Sequence, residues 1–265
     1  PKDIAVRINV EGTRNVLDFL GKTKQLERFG YMSTCATSGT FEGTFREDDL
    51  DVGQGFKNNY DETKFLAEKL VRERRESIPT VIFRPTYVVG DSKTGAFEKI
   101  DGPYYGLVVI ARNMHFVIPN SGTAKCHAEP VDFVADAFYH LLEDEQSTGS
   151  VFNLADPNPI TWNKFMALAA ERYGKIKPPL KLPPALLKPM FRFTPFAHLT
   201  GLPYEAFKYS FHTVEYDTIH SASALAKYDI SCPPLSAYID VMIRFFKEHY
   251  GDAQLRRGKL YKNLS

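Results

Sequence analysis

A doubly wound α/β fold is expected from three features of the chain. Apolar, β-branched runs such as Pro79-Thr80-Val81-Ile82-Phe83-Arg84-Pro85 read as buried parallel strands. Segments with helical apolar spacing alternate with them, one over residues 2 to 21 and another from Tyr60 to about Glu76. Hydroxyl- and glycine-rich stretches follow the strands, at Ser33-Thr34 and at Gly90-Asp91-Ser92-Lys93-Thr94-Gly95. Open α/β sheets bind their ligands at the carboxyl ends of strands, so these stretches are the places to look for chemistry.

The composition narrows the partners. A chain of 265 residues, 43% hydrophobic and 25% charged, can bury a large core. The net charge of +1 has no basic block within it, which argues against nucleic acid. Cys35, Cys126 and Cys232 are few, odd in number and far apart, so they suggest neither a disulfide framework nor a metal site. No apolar run approaches the ~20 residues of a membrane span, and the first residues are too polar for a signal peptide. A cytoplasmic location is expected.

Taken in order, residues 2 to 21 predict one amphipathic helix with Gly12 in its middle, where glycine suggests close packing against another backbone. Asn9 and Thr13, one turn apart, could hydrogen-bond a neighbouring strand end. Leu26 to Thr34 predicts a short strand running into Ser33, Thr34, Thr37, Ser38 and Thr40; a turn satisfying its own backbone is the plainer reading of these hydroxyls. Residues 42 to 57 are expected to form a loop. A helix is predicted from Pro130 through about Leu142, a last short strand at residues 150 to 154, and a helix from a Thr161 cap through Tyr173. Residues 175 to 202 interleave proline with Leu, Met and Phe, and are expected to cover a pocket. Lying on a membrane surface is the less favoured alternative. The final helix is predicted from Leu235 to Tyr250, with Tyr238, Met242, Phe245 and Phe246 buried.

The helix beginning Asn58-Asn59-Tyr60-Asp61-Glu62-Thr63-Lys64 places a phenol and an ammonium on one face, four residues apart. A neighbouring cation favours phenolate, so Lys64 can make Tyr60 a usable proton donor or acceptor near neutral pH. A solvated helix face carries the same pair without any chemistry.

Four pieces in fixed order sharpen this reading: Asn9-Val10-Glu11-Gly12-Thr13, Tyr31-Met32-Ser33-Thr34, Tyr60-x-x-x-Lys64 and Arg84-Pro85-Thr86-Tyr87-Val88-Val89-Gly90. Together they resemble the extended short-chain dehydrogenase/reductases. With Gly90 to Gly95 and Asp101-Gly102-Pro103-Tyr104, they resemble most the thioester reductase and fatty acyl-CoA reductase branch. The resemblance implies a Rossmann-like sheet with a smaller, mostly helical substrate-binding subdomain. Residues 1–165 would be the partial dehydrogenase domain, and residues 166–265 a cover packed on it. It implies Tyr60 as the acid that protonates a carbonyl oxygen, Lys64 as its pKa modulator and ribose partner, and Thr34, ahead of Ser33, as the holder of the substrate oxygen. Pro85, Thr86, Tyr87 and Val88 would pack on the nicotinamide of NADP or NAD, and Asn9 would support Lys64. The substrate implied is a small molecule, an acyl thioester or another carbonyl compound with an apolar tail. A homodimer through the Tyr60 helix is also implied. Cys35 has no histidine beside it in sequence, which argues against a thiol nucleophile.

The family's glycine-rich strand-to-helix turn, which holds the pyrophosphate, does not stand in these residues. Roughly the first third of the fold is expected to lie upstream or to come from a partner. A binding or scaffold remnant is the alternative from another functional class. A nucleotide-sugar epimerase or dehydratase and a hydroxysteroid-type dehydrogenase are the alternatives within the superfamily.

Overall fold

The computed structural model describes residues 2–192 and 210–252. In chain order its helices are α1 (Lys2–Ala5), α2 (Gly12–Leu20), α3 (Asn59–Glu73), α4 (Tyr104–Ala111), α5 (Val131–Glu143), α6 (Trp162–Tyr173), α7 (Pro184–Arg192), α8 (Ile219–Ala226) and α9 (Leu235–His249). Its strands are β1 (Phe29–Met32), β2 (Gly43–Phe45), β3 (Thr80–Pro85), β4 (Tyr87–Val89), β5 (Val117–Pro119), β6 (Ala128–Pro130), β7 (Val151–Leu154), β8 (Leu180–Leu182) and β9 (Val214–Tyr216). The chain divides into two compact units. One comprises Pro1–Thr86, Phe133–Pro157 and Val214–Cys232; the other comprises Tyr87–Asp132, Asn158–Thr213 and Pro233–Ser265. The sequence suggested a single boundary near residue 165; this partition interleaves the units instead.

The first unit holds a parallel sheet in the order β1-β3-β7, with Phe29 opposite Thr80 and Ile82 opposite Val151. Every residue of β3 is buried, as its apolar run predicts for a central parallel strand. Side chains alternate between faces. Ile82 and Val151 meet Leu17 and Val71 on one side, while Val81, Phe83, Phe152 and Leu154 meet Phe133, Val134, Ala137 and Leu225 on the other. Helices therefore cover both faces, which is the doubly wound arrangement.

The first helical run is not uniformly α. Residues Val6–Glu11 form a π-helix, and the Gly12 N–H reaches back to the Arg7 carbonyl. A side chain at Gly12 would meet only that carbonyl, at an ordinary 3.8 Å, so the expected close packing at this glycine is absent. The predicted loop of residues 42 to 57 contains β2, which pairs in parallel with β9 and buries Phe45 completely. Among the described residues two strands, β8 and β9, thus follow β7, which the sequence suggested to be last.

Among the described residues the second unit has two parallel strand pairs, β4 with β6 and β5 with β8. Its core gathers Tyr104, Leu107, Ile110, Phe165, Tyr238, Met242 and Phe246 from α4, α6 and α9. Phe245, expected inside, is half-buried. The loop at Gly90 to Gly95 ends on a positive φ of +77° at Gly95, whose α-carbon approaches the Val241 carbonyl so closely that a β-carbon would stand 2.3 Å from it. Only glycine serves there. Of the proline-rich stretch, β8 and α7 are described, and residues 193–209 lie outside the described residues, as does the basic tail from Leu255. Among the described residues no helix is long and apolar enough to cross a membrane.

Candidate active site

The helix α3 starts where Asn58, in extended conformation, accepts the Asp61 N–H at 2.9 Å, with Asp61 and Glu62 in the first turn. From there Tyr60, Lys64, Glu68 and Arg72 follow at four-residue steps. Each step turns the side chain by about 40° around the helix, and exposure changes along the stripe. Tyr60 is 51% exposed, Lys64 is half-buried and Glu68 is 0% exposed.

Lys64 Nζ donates to the Met32 carbonyl at the carboxyl end of β1, at 2.9 Å, and stands 5.0 Å from the centroid of the Tyr31 ring. Burial lowers the Lys64 pKa below the ordinary lysine value, and the Glu68 charge opposes that shift. Burial likewise pushes the Tyr31 phenol up to about 12. Just ahead of the helix, burial lowers Lys57 to about 8, with Asp61 opposing.

Thr34 continues β1 in extended conformation and caps a short 3-10 helix over Cys35–Ser38. Its Oγ1 accepts the Ala36 N–H at 3.2 Å and donates to the Pro85 carbonyl at a long 3.4 Å. With a lone pair held by Ala36, the Thr34 hydroxyl proton is the part free to turn toward a better acceptor. Ser33 differs: its hydroxyl donates inward to Glu68 Oε2 at 2.6 Å. Asn9 does not meet a strand end. Its Nδ2 donates to Thr63 Oγ1 on α3 at 2.9 Å, and Thr13 Oγ1 donates to the Asn9 carbonyl within their own helix.

The segment from Pro85 to Val88 is not one loop. Pro85 ends β3, Thr86 closes the first unit, and Tyr87 and Val88 open β4 in the second. The β-branched character of Val88-Val89 explains the difference, since these residues pair with Glu129 and Pro130. Within the second unit the Tyr87 ring meets Trp162 edge-on at 6.3 Å. Thr34, Tyr60, Lys64, Ser33, Asn9, Pro85 and Thr86 thus belong to one unit, and Tyr87 and Val88 to the other.

Sequence reasoning missed the residues beneath this surface. Glu68 and Arg84, both 0% exposed, form an ion pair at 2.6 Å. Burial opposes the charge on Glu68, but Arg84, Arg72 and the Ser33 hydroxyl outweigh it and hold the carboxyl below the usual glutamate range. Glu47, also buried, accepts the N–H groups of Asn153, His220 and Ser221, at the start of α8. A charged arginine inside an otherwise apolar strand was the one signal available in the sequence.

The residues present suit one end of a nicotinamide nucleotide. A lysine ammonium carries three donors, and Met32 uses one in the contacts seen for Lys64. The remainder can meet ribose hydroxyls beside the half-exposed Tyr60. The pyrophosphate end has no glycine-rich strand-to-helix turn within the 265 residues.

A parallel sheet wound on both sides, with a Tyr-x-x-x-Lys helix at the carboxyl end of β1, defines an extended short-chain dehydrogenase/reductase-like domain. Residues 1–138 match the model of the male sterility protein family, an NAD-binding family, and the chain belongs to it. It is 29% identical over 177 residues to a linear gramicidin synthase of Brevibacillus parabrevis, covering 63% of this chain and 3% of that protein. It is 25% identical over 197 residues to fatty acyl-CoA reductase wat of Drosophila melanogaster, covering 62% of this chain and 38% of that protein. The chain therefore spans well under half the length of these relatives. In fold it is similar to the terminal R domain from the myxalamid PKS-NRPS biosynthetic pathway. That likeness has a TM-score of 0.77 and 24% identity, and covers 97% of this chain and 66% of that one.

Proposed function

We propose that this protein reduces an acyl thioester, or an aldehyde or ketone, bearing an apolar tail, with NADP as the favoured cofactor and NAD as the other choice. The observation that carries the reading is the half-exposed Tyr60 phenol one turn from a Lys64 held at the end of β1, where Thr34 also stands. The names of the reductase relatives support the substrate class. So does the Pro- and Phe-rich stretch of residues 178 to 211, most of whose second half lies outside the described residues.

A bound dihydronicotinamide supplies the hydride. Thr34 turns its hydroxyl from the long contact with Pro85 to the substrate carbonyl oxygen and orients it. Tyr60 gives its proton to that oxygen as negative charge develops, and Lys64, charged, stabilises the phenolate that remains. Asn9, through Thr63, fixes the turn of α3 between Tyr60 and Lys64. With a thioester, the reduced carbon keeps its carbon–sulfur bond until the hemithioacetal collapses to aldehyde and thiol.

The lowered pKa of Lys64 gives a pH dependence: turnover should fall on the alkaline side before ordinary lysines lose their protons. A cytoplasmic site fits Cys35, Cys126 and Cys232 forming no disulfide. A homodimer through the Tyr60 helix fits the exposed Leu66 on α3.

Replacing Tyr60 by Phe in the full-length protein should lower turnover of an acyl thioester at least a thousandfold, on the order of general-acid and electrostatic effects combined. Cofactor affinity, read by fluorescence titration, should stay within about twofold. Retained turnover overturns the assignment. Parallel assays with sterols and nucleotide sugars check the apolar acyl preference.

A further inference from the structure

The buried carboxylate of Glu68 is saturated. Oε2 accepts the Ser33 hydroxyl at 2.6 Å and Arg84 Nε at 3.0 Å; Oε1 accepts Arg84 Nη2 at 2.6 Å and Arg72 Nε at 3.0 Å. The two arginines in turn hold the loop that follows β2. Arg84 donates to the carbonyls of Glu47 and Asp49, and Arg72 to those of Asp48 and Asp49. The Ser33 N–H donates to the Phe83 carbonyl, prolonging the β1–β3 ladder.

The position of Ser33 in the chain gives this cluster its meaning. Its neighbour on one side is Met32, whose carbonyl holds Lys64. Its neighbour on the other is Thr34, whose hydroxyl faces the Pro85 carbonyl. Glu68 is on the same helix as Tyr60 and Lys64. A single carboxylate therefore ties the helix carrying one part of the site to the three-residue step carrying the rest.

We infer that Glu68 and Ser33 are positioning residues that set the spacing between Tyr60 and Lys64 on the helix and Thr34 at the strand end. This rests on the roles proposed above for those three residues. Arg84 and Arg72 keep Glu68 ionised and fixed. The peptide between Met32 and Thr34 cannot shift without breaking a hydrogen bond to a buried charge, which is among the stronger kinds. Placement errors of about 1 Å are enough to cost reaction rate on the order of a hundredfold.

Ser33→Ala is the decisive variant, because it removes the hydroxyl and leaves Glu68 its three arginine contacts, so the charge stays paired. In the full-length protein, kcat for an acyl thioester should fall by about ten- to a hundredfold, with KM and cofactor affinity within about twofold. Glu68→Asp, which keeps the charge and draws it back from Ser33, should give a similar loss. The double variant should be no worse than the poorer single one, since both break one contact.

The side-chain ammonium NMR signal of Lys64, assigned by its loss in Lys64→Arg, supplies a readout independent of any reaction. It should shift and broaden in Ser33→Ala. Unchanged kcat together with an unchanged Lys64 signal overturns the inference, and so does a loss confined to KM. If the wild-type protein reduces no thioester or aldehyde while the Lys64 signal still responds to Ser33→Ala, the proposed reaction falls and the anchor stands.

Discussion

The interiors of the two units are built from different materials. In the first, Arg84 and Glu68 are both fully buried and paired at 2.6 Å, and the guanidinium lies 5.2 Å from the centroid of the Phe45 ring. In the second, Phe97 stacks on Tyr104 at 4.0 Å, Phe246 adds to the stack, and the polar atoms of the tyrosines reach backbone. The Gly90 N–H donates to the Tyr104 hydroxyl at 2.8 Å, and the Tyr238 hydroxyl donates to the Ala128 carbonyl at 2.6 Å. Burying charge is costly, and well-packed apolar groups of similar volume do as well or better for stability. An ion pair persisting beside Ser33 and Thr34 therefore points to a demand for geometry that the aromatic interior does not face. Glu68 accepts four directed hydrogen bonds, whereas the burial of apolar rings is non-directional.

Three substitutions test that contrast, taken from the largest effect to the smallest. Arg84→Met removes two of the four donors to the buried Glu68 carboxylate, leaving it Arg72 and Ser33, and should destabilise the protein by about 3 kcal/mol in urea unfolding, the low end for a broken buried ion pair. Adding Glu68→Leu should restore most of that stability while leaving thioester turnover depressed. Recovery of both would remove the case for geometry. In the other interior, Ile243→Val deletes one buried methylene, which should cost about 0.5–1.5 kcal/mol with turnover unchanged.

A further test is pH. Because the native carboxyl of Glu68 is held below the ordinary value of 4.5, its contribution to stability is present above that value. It is lost as pH falls through the lower native value. Denaturant midpoints measured downward from about pH 4.5 should decline for the wild type, and the Arg84→Met/Glu68→Leu protein should lack that component. Glu47 has the opposite sign: burial raises its pKa and its backbone donors only partly offset this, so it works against the native state as pH rises through its native value.

How much of this was legible beforehand depended on how local each determinant is. The start of α3 could be placed because Asn58 caps it and Asp61 and Glu62 follow. The helix over Trp162–Tyr173 could be placed because Thr161 caps it by accepting the Lys164 N–H. The strand over Thr80–Pro85 carries its own apolar run. By contrast β2 exists only because residues 43 to 45 find residues 214 to 216, a pairing with no local signature. The π-helical turn over Val6–Glu11 has the same apolar spacing as the α-helix expected there. Its displacement of Asn9 toward Thr63 depends on how the run packs on α3. Lys64 and Glu68 stand at the spacing of any surface ion pair. Burial against Arg84, sixteen residues on in β3, together with the Ser33 hydroxyl, distinguishes Glu68 from such a pair.

The interleaving of the two units bears on how the protein is made. The first unit needs the stretch from Val214 to Cys232, which supplies β9 and the α8 residues that Glu47 caps. A ribosome has therefore translated Thr34, Tyr60 and Lys64 long before the pieces that finish their surroundings emerge. β2 pairs with β9 and Glu47 accepts N–H groups at the start of α8, so the loop behind Arg84 and Glu68 has its full set of partners only once β9 and α8 are present. Neither unit can be encoded as one uninterrupted stretch, so no single cut in the gene separates them.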